Sequence, residues 1–297
     1  MNYKKNAHFY NFEERNYETS LFENIDATYI LHLEGNNRLG HVEEQLTKYI
    51  PSKKIFIVYN KGFKKCTKDL SMQCSTYDMI DANLNIIDHS IANNYSNILI
   101  LEDDFQFNSS ILEDEHKKDI DDWLNKNNNS EFLYYLGSLP IIKTFNLSNH
   151  NQLFLSIGTH ALIISKNMKE KLLLHKEYAK DWDIYLNQFF LYKYTYHTPL
   201  CYQVFPETEN QKNWGKTENF FGIGLSIFGQ GGVQLLRLVE LDIKPEPGFS
   251  YFYNFSVIII LLLYFLVFYV FYLSYKFCKK YIIPNIFFSS EIFKGLK

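Results

Sequence analysis

The run Ile98-Leu99-Ile100-Leu101 is short, apolar and rich in β-branched residues, and it ends in three consecutive carboxylates, Glu102-Asp103-Asp104, before Phe105. An unbroken apolar run of this length reads as a strand buried on both faces, which calls for a sheet with helices on either side. The flanking pattern agrees. Ala27–Leu33 and residues 54–59 read as strands, and between them residues 41–49 place Val42, Leu46 and Tyr49 on one helical face. Residues 78–93 set Ile80, Leu84, Ile87 and Ile91 at helical spacing and lead into the Ile98 strand. A helix over 113–127, strands at 132–136 and 161–165, and helices at 166–175 and 184–194 follow. Alternating strand and helix predicts the α/β class with a mainly parallel sheet flanked by helices.

Ligands of open α/β sheets sit beyond the carboxyl ends of the strands. Carboxylates are costly to gather there unless a divalent cation neutralises them. A solvated acidic loop after a core strand is the other reading of the same residues.

With 297 residues the chain has room for one domain of ordinary size plus appendages. A net charge of −3 with 21% charged residues excludes nucleic-acid binding through a basic surface. The aromatic content of 18% accompanies abundant Asn, Lys and Ile, a set written by AT-rich codons, so single Tyr and Phe residues carry little functional signal. Cys66, Cys74, Cys201 and Cys278 have no metal-ligand spacing, and unpaired thiols are expected.

Residues 251–275 contain no charged side chain. As a helix they reach about 37 Å, enough for a hydrocarbon core of about 30 Å. Tyrosines at both ends suit the two interfaces. The expectation is a single-pass C-terminal membrane anchor, with Cys278 just past it as a palmitoylation candidate. The first twenty residues hold no secretory signal, which favours a tail anchor with the main domain in the cytosol. Lys276, Lys279 and Lys280 point the other way by the positive-inside tendency. The organisation expected is an N-terminal extension (1–24), a catalytic domain (25–215), a Gly-rich and amphipathic connector on the bilayer surface (216–250), the membrane helix (251–275) and a short basic tail (276–297).

Four separated segments resemble the family 25 glycosyltransferases, which include procollagen galactosyltransferases and lipooligosaccharide glycosyltransferases. They are Tyr29-Ile30-Leu31-His32-Leu33 with Arg38 and His41-Val42-Glu43-Glu44-Gln45-Leu46; the stretch 98–105, similar to a "LILEDD" motif; Gly158-Thr159-His160-Ala161 through Lys166; and Asp181-Trp182-Asp183-Ile184-Tyr185-Leu186. Their order and spacing match over roughly residues 27–214. The chain departs from the family in showing one arginine in the first loop and no Ser-His pair after Cys74. The resemblance implies a GT-A-like fold, a nucleotide-sugar donor, a divalent metal, usually manganese, and inversion at the anomeric carbon.

In that light Glu102 and Asp104, which point the same way along the strand end, are the expected metal ligands. Asp103 faces elsewhere, toward ribose or sugar hydroxyls, and Arg38 and His160 are candidates to line the donor site. Asp181 and Asp183 are candidates for the base that deprotonates an acceptor hydroxyl, with Trp182 stacking on a sugar ring. The bland reading of that pair is a helix N-cap at Asp183. His197 is a further ligand candidate, and Glu207, Glu209, Asn210 and Trp214 form a candidate closing loop. The expected function is transfer of galactose or glucose from a UDP-sugar to a glycan, protein or lipid-linked acceptor; the alternative is an inactive, membrane-anchored binding module.

Overall fold

The computed structural model describes residues 3–144, 148–204, 234, 237–241 and 244–282. In chain order the first half is β1 (Tyr10–Asn16), β2 (Ala27–Leu33), α1 (Leu39–Lys48), β3 (Lys54–Asn60), α2 (Ser75–Ala92) and β4 (Ile98–Glu102). Then come β5 (Phe105–Phe107), α3 (Asp114–Lys126), β6 (Leu133–Lys143), β7 (His150–Ile164), α4 (Lys166–Leu174), α5 (Trp182–Asn187), β8 (Lys193–Tyr196), β9 (Cys201–Gln203) and α6 (Gly248–Phe277).

The apolar runs become the middle of a seven-stranded sheet ordered β1-β3-β2-β4-β7-β6-β8. Successive side chains of a strand face opposite ways, so each central strand feeds two apolar layers. Tyr29, Leu31, Phe56, Val58, Ile98 and Ile100 pack with Ile80, Leu84 and Ile87 of α2, Met168 and Leu172 of α4, and Trp182 and Leu186 of α5. Ile30, Ile55, Ile57, Leu99 and Leu101 pack with Val42 and Leu46 of α1 and Ile120 and Leu124 of α3. Burial on both faces is why these strands carry no polar alternation.

The sheet is mixed. β3, β2 and β4 are parallel, as are β6 and β8, while β7 runs antiparallel to both β4 and β6. Tyr10–Asn16, expected in an N-terminal extension, pairs antiparallel with β3 as the edge strand. The helix expected at 184–194 is shorter: α5 ends at Asn187, and residues 193–196 form β8. Leu241 and Phe249, expected in a surface connector, are buried against Leu139 and Tyr202. The Gly-rich part of that connector and the loop containing Glu207, Glu209, Asn210 and Trp214 lie outside the described residues.

Helix α6 belongs to a segment, Gly248–Lys280, long and apolar enough to cross a membrane, with a mean hydropathy of 2.7 over its most apolar window. All four cysteines are free.

Candidate active site

The short antiparallel pair β5–β9 sets Phe105 opposite Gln203, and the Val204 N–H donates to the Asp104 carbonyl at 2.9 Å. This register brings Gln203 over the end of β4. Its Nε2 donates to Asp104 Oδ1 and Oδ2, each at 3.3 Å, and to Glu102 Oε2 at 3.4 Å. Thr159 of β7 donates to the other oxygen of Glu102 at 3.4 Å. Glu102, the last residue of β4, and Asp104, in the turn that follows, are thus brought together by one amide.

Burial lifts the Glu102 carboxyl well above the usual range, and the charges of Asp104, Asp183 and Asp103 add to it. Asp104 is pushed up to about 7, first by burial and then by Asp103, against the pull of Arg38 and Gln203. Asp103 behaves oppositely. Its Oδ2 accepts from His32 Nδ1 (2.9 Å), the Leu33 N–H (3.2 Å) and Asn36 Nδ2 (2.5 Å), and its Oδ1 from Arg38 Nη1 (2.9 Å). Burial would raise its pKa, but the bonds from His32 and Asn36 and the Arg38 charge hold it below the ordinary value. Arg38 stands at the N-cap of α1, and the same Nη1 reaches Asp104 Oδ2 at 3.2 Å. Its Nη2 and Nε bond no described residue.

Across Thr159 lies α5. Its N-cap is Asp181, not Asp183: Asp181 Oδ1 accepts from the Ile184 N–H at 3.0 Å. Asp183, the second residue of the helix, is thereby left to accept from the Gly158 N–H at 2.9 Å. Gly158 has φ +79°, a conformation side chains resist, and this kink aims its N–H at the carboxylate. Burial, reinforced by Asp181, pushes Asp183 up to about 6. Trp182 is buried in the core beside α2, not presented to a ligand.

Lys193 was not anticipated. It is fully buried, donates to Ser156 Oγ at 2.8 Å and to Asn187 Oδ1, and is pushed down to about 7 by burial against the opposing pull of Asp183. Asn187 in turn donates to the Ser156 carbonyl at 2.8 Å, so the end of α5 is fastened to β7. No local pattern marks Lys193 or Gln203, since each depends on partners far along the chain.

His160 is fully buried, with Nε2 3.2 Å from the Cys201 carbonyl and its ring edge-on to Phe249 at 5.5 Å. Burial pushes it down to about 4, so it is neutral at pH 7. His197 has His116 and Tyr196 as ring neighbours. Among the described residues no group of three or more His, Cys, Asp or Glu is arranged to hold a metal ion.

No family model matches the chain, and no curated protein matches it. Among solved structures, the crystal structure of A197 from STIV is similar, with a TM-score of 0.40 and 13% identity over 61% of this chain and 86% of that one.

The site therefore gathers Glu102 and the buried Asp104 at the end of β4 with a third carboxylate, Asp183, pushed up to about 6. Glu102 and Asp104 present two hard-oxygen donors side by side, and Asp183 is a carboxylate able to accept a proton.

Proposed function

We propose that the chain is a membrane-anchored, metal-dependent inverting glycosyltransferase moving galactose or glucose from a UDP-sugar to a hydroxyl of a glycan, protein or lipid-linked acceptor. The observation that carries the reading is the convergence of Glu102 and Asp104 under Gln203 with Asp183 close enough to raise the Glu102 pKa. Two hard-oxygen ligands fit a divalent cation whose remaining positions are filled by substrate oxygens and water. Glu102 and Asp104 would hold it; manganese, when bound, would offset the charge that builds on the departing diphosphate.

The chain's own residues supply the rest. Arg38 offers Nη2 and Nε to phosphate oxygens while Nη1 stays on Asp103 and Asp104. The acceptor oxygen bonds the anomeric carbon as the bond from that carbon to the phosphate oxygen breaks. Its proton passes to Asp183, and the electron pair of the broken bond leaves on UDP. An Asp183 pKa of about 6 leaves the base mostly ionised at pH 7 and more basic than an ordinary aspartate. In this reading Asp181 caps α5, Asp103 holds the β2–α1 loop, and His160 steadies β9 through the Cys201 carbonyl. Helix α6, exposed and apolar all round beyond Ile260, is the anchor.

A second reading is an inactive binding module; it is favoured by the engagement of Arg38 Nη1 within the protein and by the two-carboxylate ligand set. The deciding experiment uses the full chain in detergent with UDP-galactose and UDP-glucose, in manganese or EDTA, beside Asp104→Ala. Manganese-dependent UDP release that Asp104→Ala abolishes is the expected result. Binding of UDP without release from either donor, with glycan, protein and lipid-linked acceptors supplied, would leave the binding module.

A further inference from the structure

Helix α6 does not leave the domain on a tether. Gly248, Phe249, Tyr253, Ser256 and Ile260 are buried; Phe249 packs with Leu139 and Tyr202 of the domain, and Tyr253 shares a 3.1 Å hydrogen bond with Thr195 while its ring lies 5.3 Å from Lys143 Nζ. From 261 to 277 every residue is exposed. That free length is about 26 Å at 1.5 Å per residue. A hydrocarbon core is about 30 Å thick. Spanning it draws the helix in as far as Ile258, about 8 Å along the helix from Tyr253, which bonds Thr195 of the domain. The bilayer therefore begins within about 8 Å of the domain's hold on Tyr253.

The same helix measures the height of the site. The Phe249 ring packs on Tyr202 at 5.3 Å and on His160 at 5.5 Å. The chain neighbours of those two residues, Gln203 and Thr159, are the two donors to Glu102. From Phe249 to Ile258 the helix rises about 14 Å, and tilt lowers this. The headgroup layer takes up about 5–8 Å of that height. The carboxylates stand within the reach of a short glycan headgroup.

Two exposed apolar side chains flank the acceptor side. Ile157 and Ile184 adjoin the two ends of the Gly158–Asp183 hydrogen bond and are 40% and 39% exposed. Ile157 is paired with Leu139, which packs with Phe249, so it lies on the face that carries α6.

We propose that the acceptor is a hydroxyl carried by a membrane lipid, taken by a domain seated directly on the bilayer with Ile157 and Ile184 as its apolar lip. The proposal rests on the glycosyltransferase reading above.

The test is to insert seven apolar residues between Ile260 and Leu261 of the full chain. Two added turns keep the buried face in register and lift the domain by about 10 Å. Parent and insertion are compared in phosphatidylcholine nanodiscs containing a monohexosylceramide, with methyl hexoside as the soluble acceptor. Donor hydrolysis without acceptor reads the glycosyltransferase activity itself and is expected to be equal in both. Transfer to the glycolipid is expected to fall about tenfold or more, because the anchored site no longer reaches the surface. Equal transfer by the insertion, or equal use of methyl hexoside by the parent, would overturn the proposal. Energy transfer from a dye at Leu174→Cys, with Cys66, Cys74 and Cys278 changed to Ser, to a headgroup dye reads the seating without activity. It should lengthen by about 10 Å on insertion. An unchanged distance refutes the seating. If neither protein hydrolyses the donor, the lipid-acceptor claim falls with the reading beneath it, and the distance alone judges the seating.

Discussion

Gln203 Nε2 donates to both oxygens of Asp104 at 3.3 Å, and this amide is what links the last strand of the domain to the acidic end of β4. The bond exists because β5 and β9 pair in a register that sets Gln203 opposite Phe105, the residue after Asp104. The neutral amide satisfies lone pairs without cancelling charge. Burial is the main reason the Glu102 and Asp104 carboxyls are raised, and repulsion within the acidic cluster adds to it.

Adjacent aspartates should respond in opposite ways to neutralisation. Asp103 accepts four hydrogen bonds, so Asp103→Asn breaks a buried charged network and should cost about 3–5 kcal/mol in urea unfolding. Asp104 has a folded pKa of about 7, above its unfolded value. Its contribution to stability is complete below about pH 4 and is lost as pH rises through 7. Asp104→Asn in EDTA at pH 8 should therefore unfold at a higher temperature than the parent and flatten the decline between pH 4 and 7. Equal destabilisation by both substitutions would contradict the assigned roles.

Two glycine-to-alanine changes should separate a close approach from an ordinary helix glycine. A Cβ on Gly137 would lie 2.0 Å from the Cys201 carbonyl oxygen and 2.5 Å from His160 Nε2, so β9 must move. Gly137→Ala should cost about 1–3 kcal/mol or more and weaken manganese dependence through Gln203. Nothing lies within 4 Å of a Cβ on Gly40 in α1, and Gly40→Ala should stabilise by about 0.5–1 kcal/mol. Thermal unfolding of the two variants checks both signs.

Acid sensitivity should trace in part to His160. Burial lowers its pKa to about 4, so between there and its unfolded value the unfolded chain binds the extra proton. Stability is then full above about pH 6.5 and falls as pH drops to about 4, by roughly 3 kcal/mol for this group. His89, His150 and His197, also lowered chiefly by burial, act in the same direction. Urea titrations of His160→Gln from pH 7 to 4 should show a shallower loss; an unchanged slope would remove His160 from the account.

The strands legible in the sequence are those buried on both faces, where apolarity is continuous. β1 escaped because an edge strand of sequence YNFEERN is half exposed and spends its charges on Lys54 and Glu43. The antiparallel direction of β7 escaped because an apolar run reads the same either way. The cap of α5 is not legible in the chain: Asp181 and Asp183 are equally good capping types, and only packing decides which of them opens the helix.

By itself the sequence determined the α/β class and the apolar segment long enough to span a membrane. These follow from periodicity, length and alternation, which are properties of neighbouring residues. Only the tertiary structure decided that Gln203 bonds both Glu102 and Asp104, that Asp103 turns to His32, Asn36 and Arg38, and that the buried Lys193 stands near Asp183. Those relationships depend on strand order, on the kink at Gly158 and on β5–β9 register, which bring together residues up to a hundred positions apart and leave no local trace in the chain.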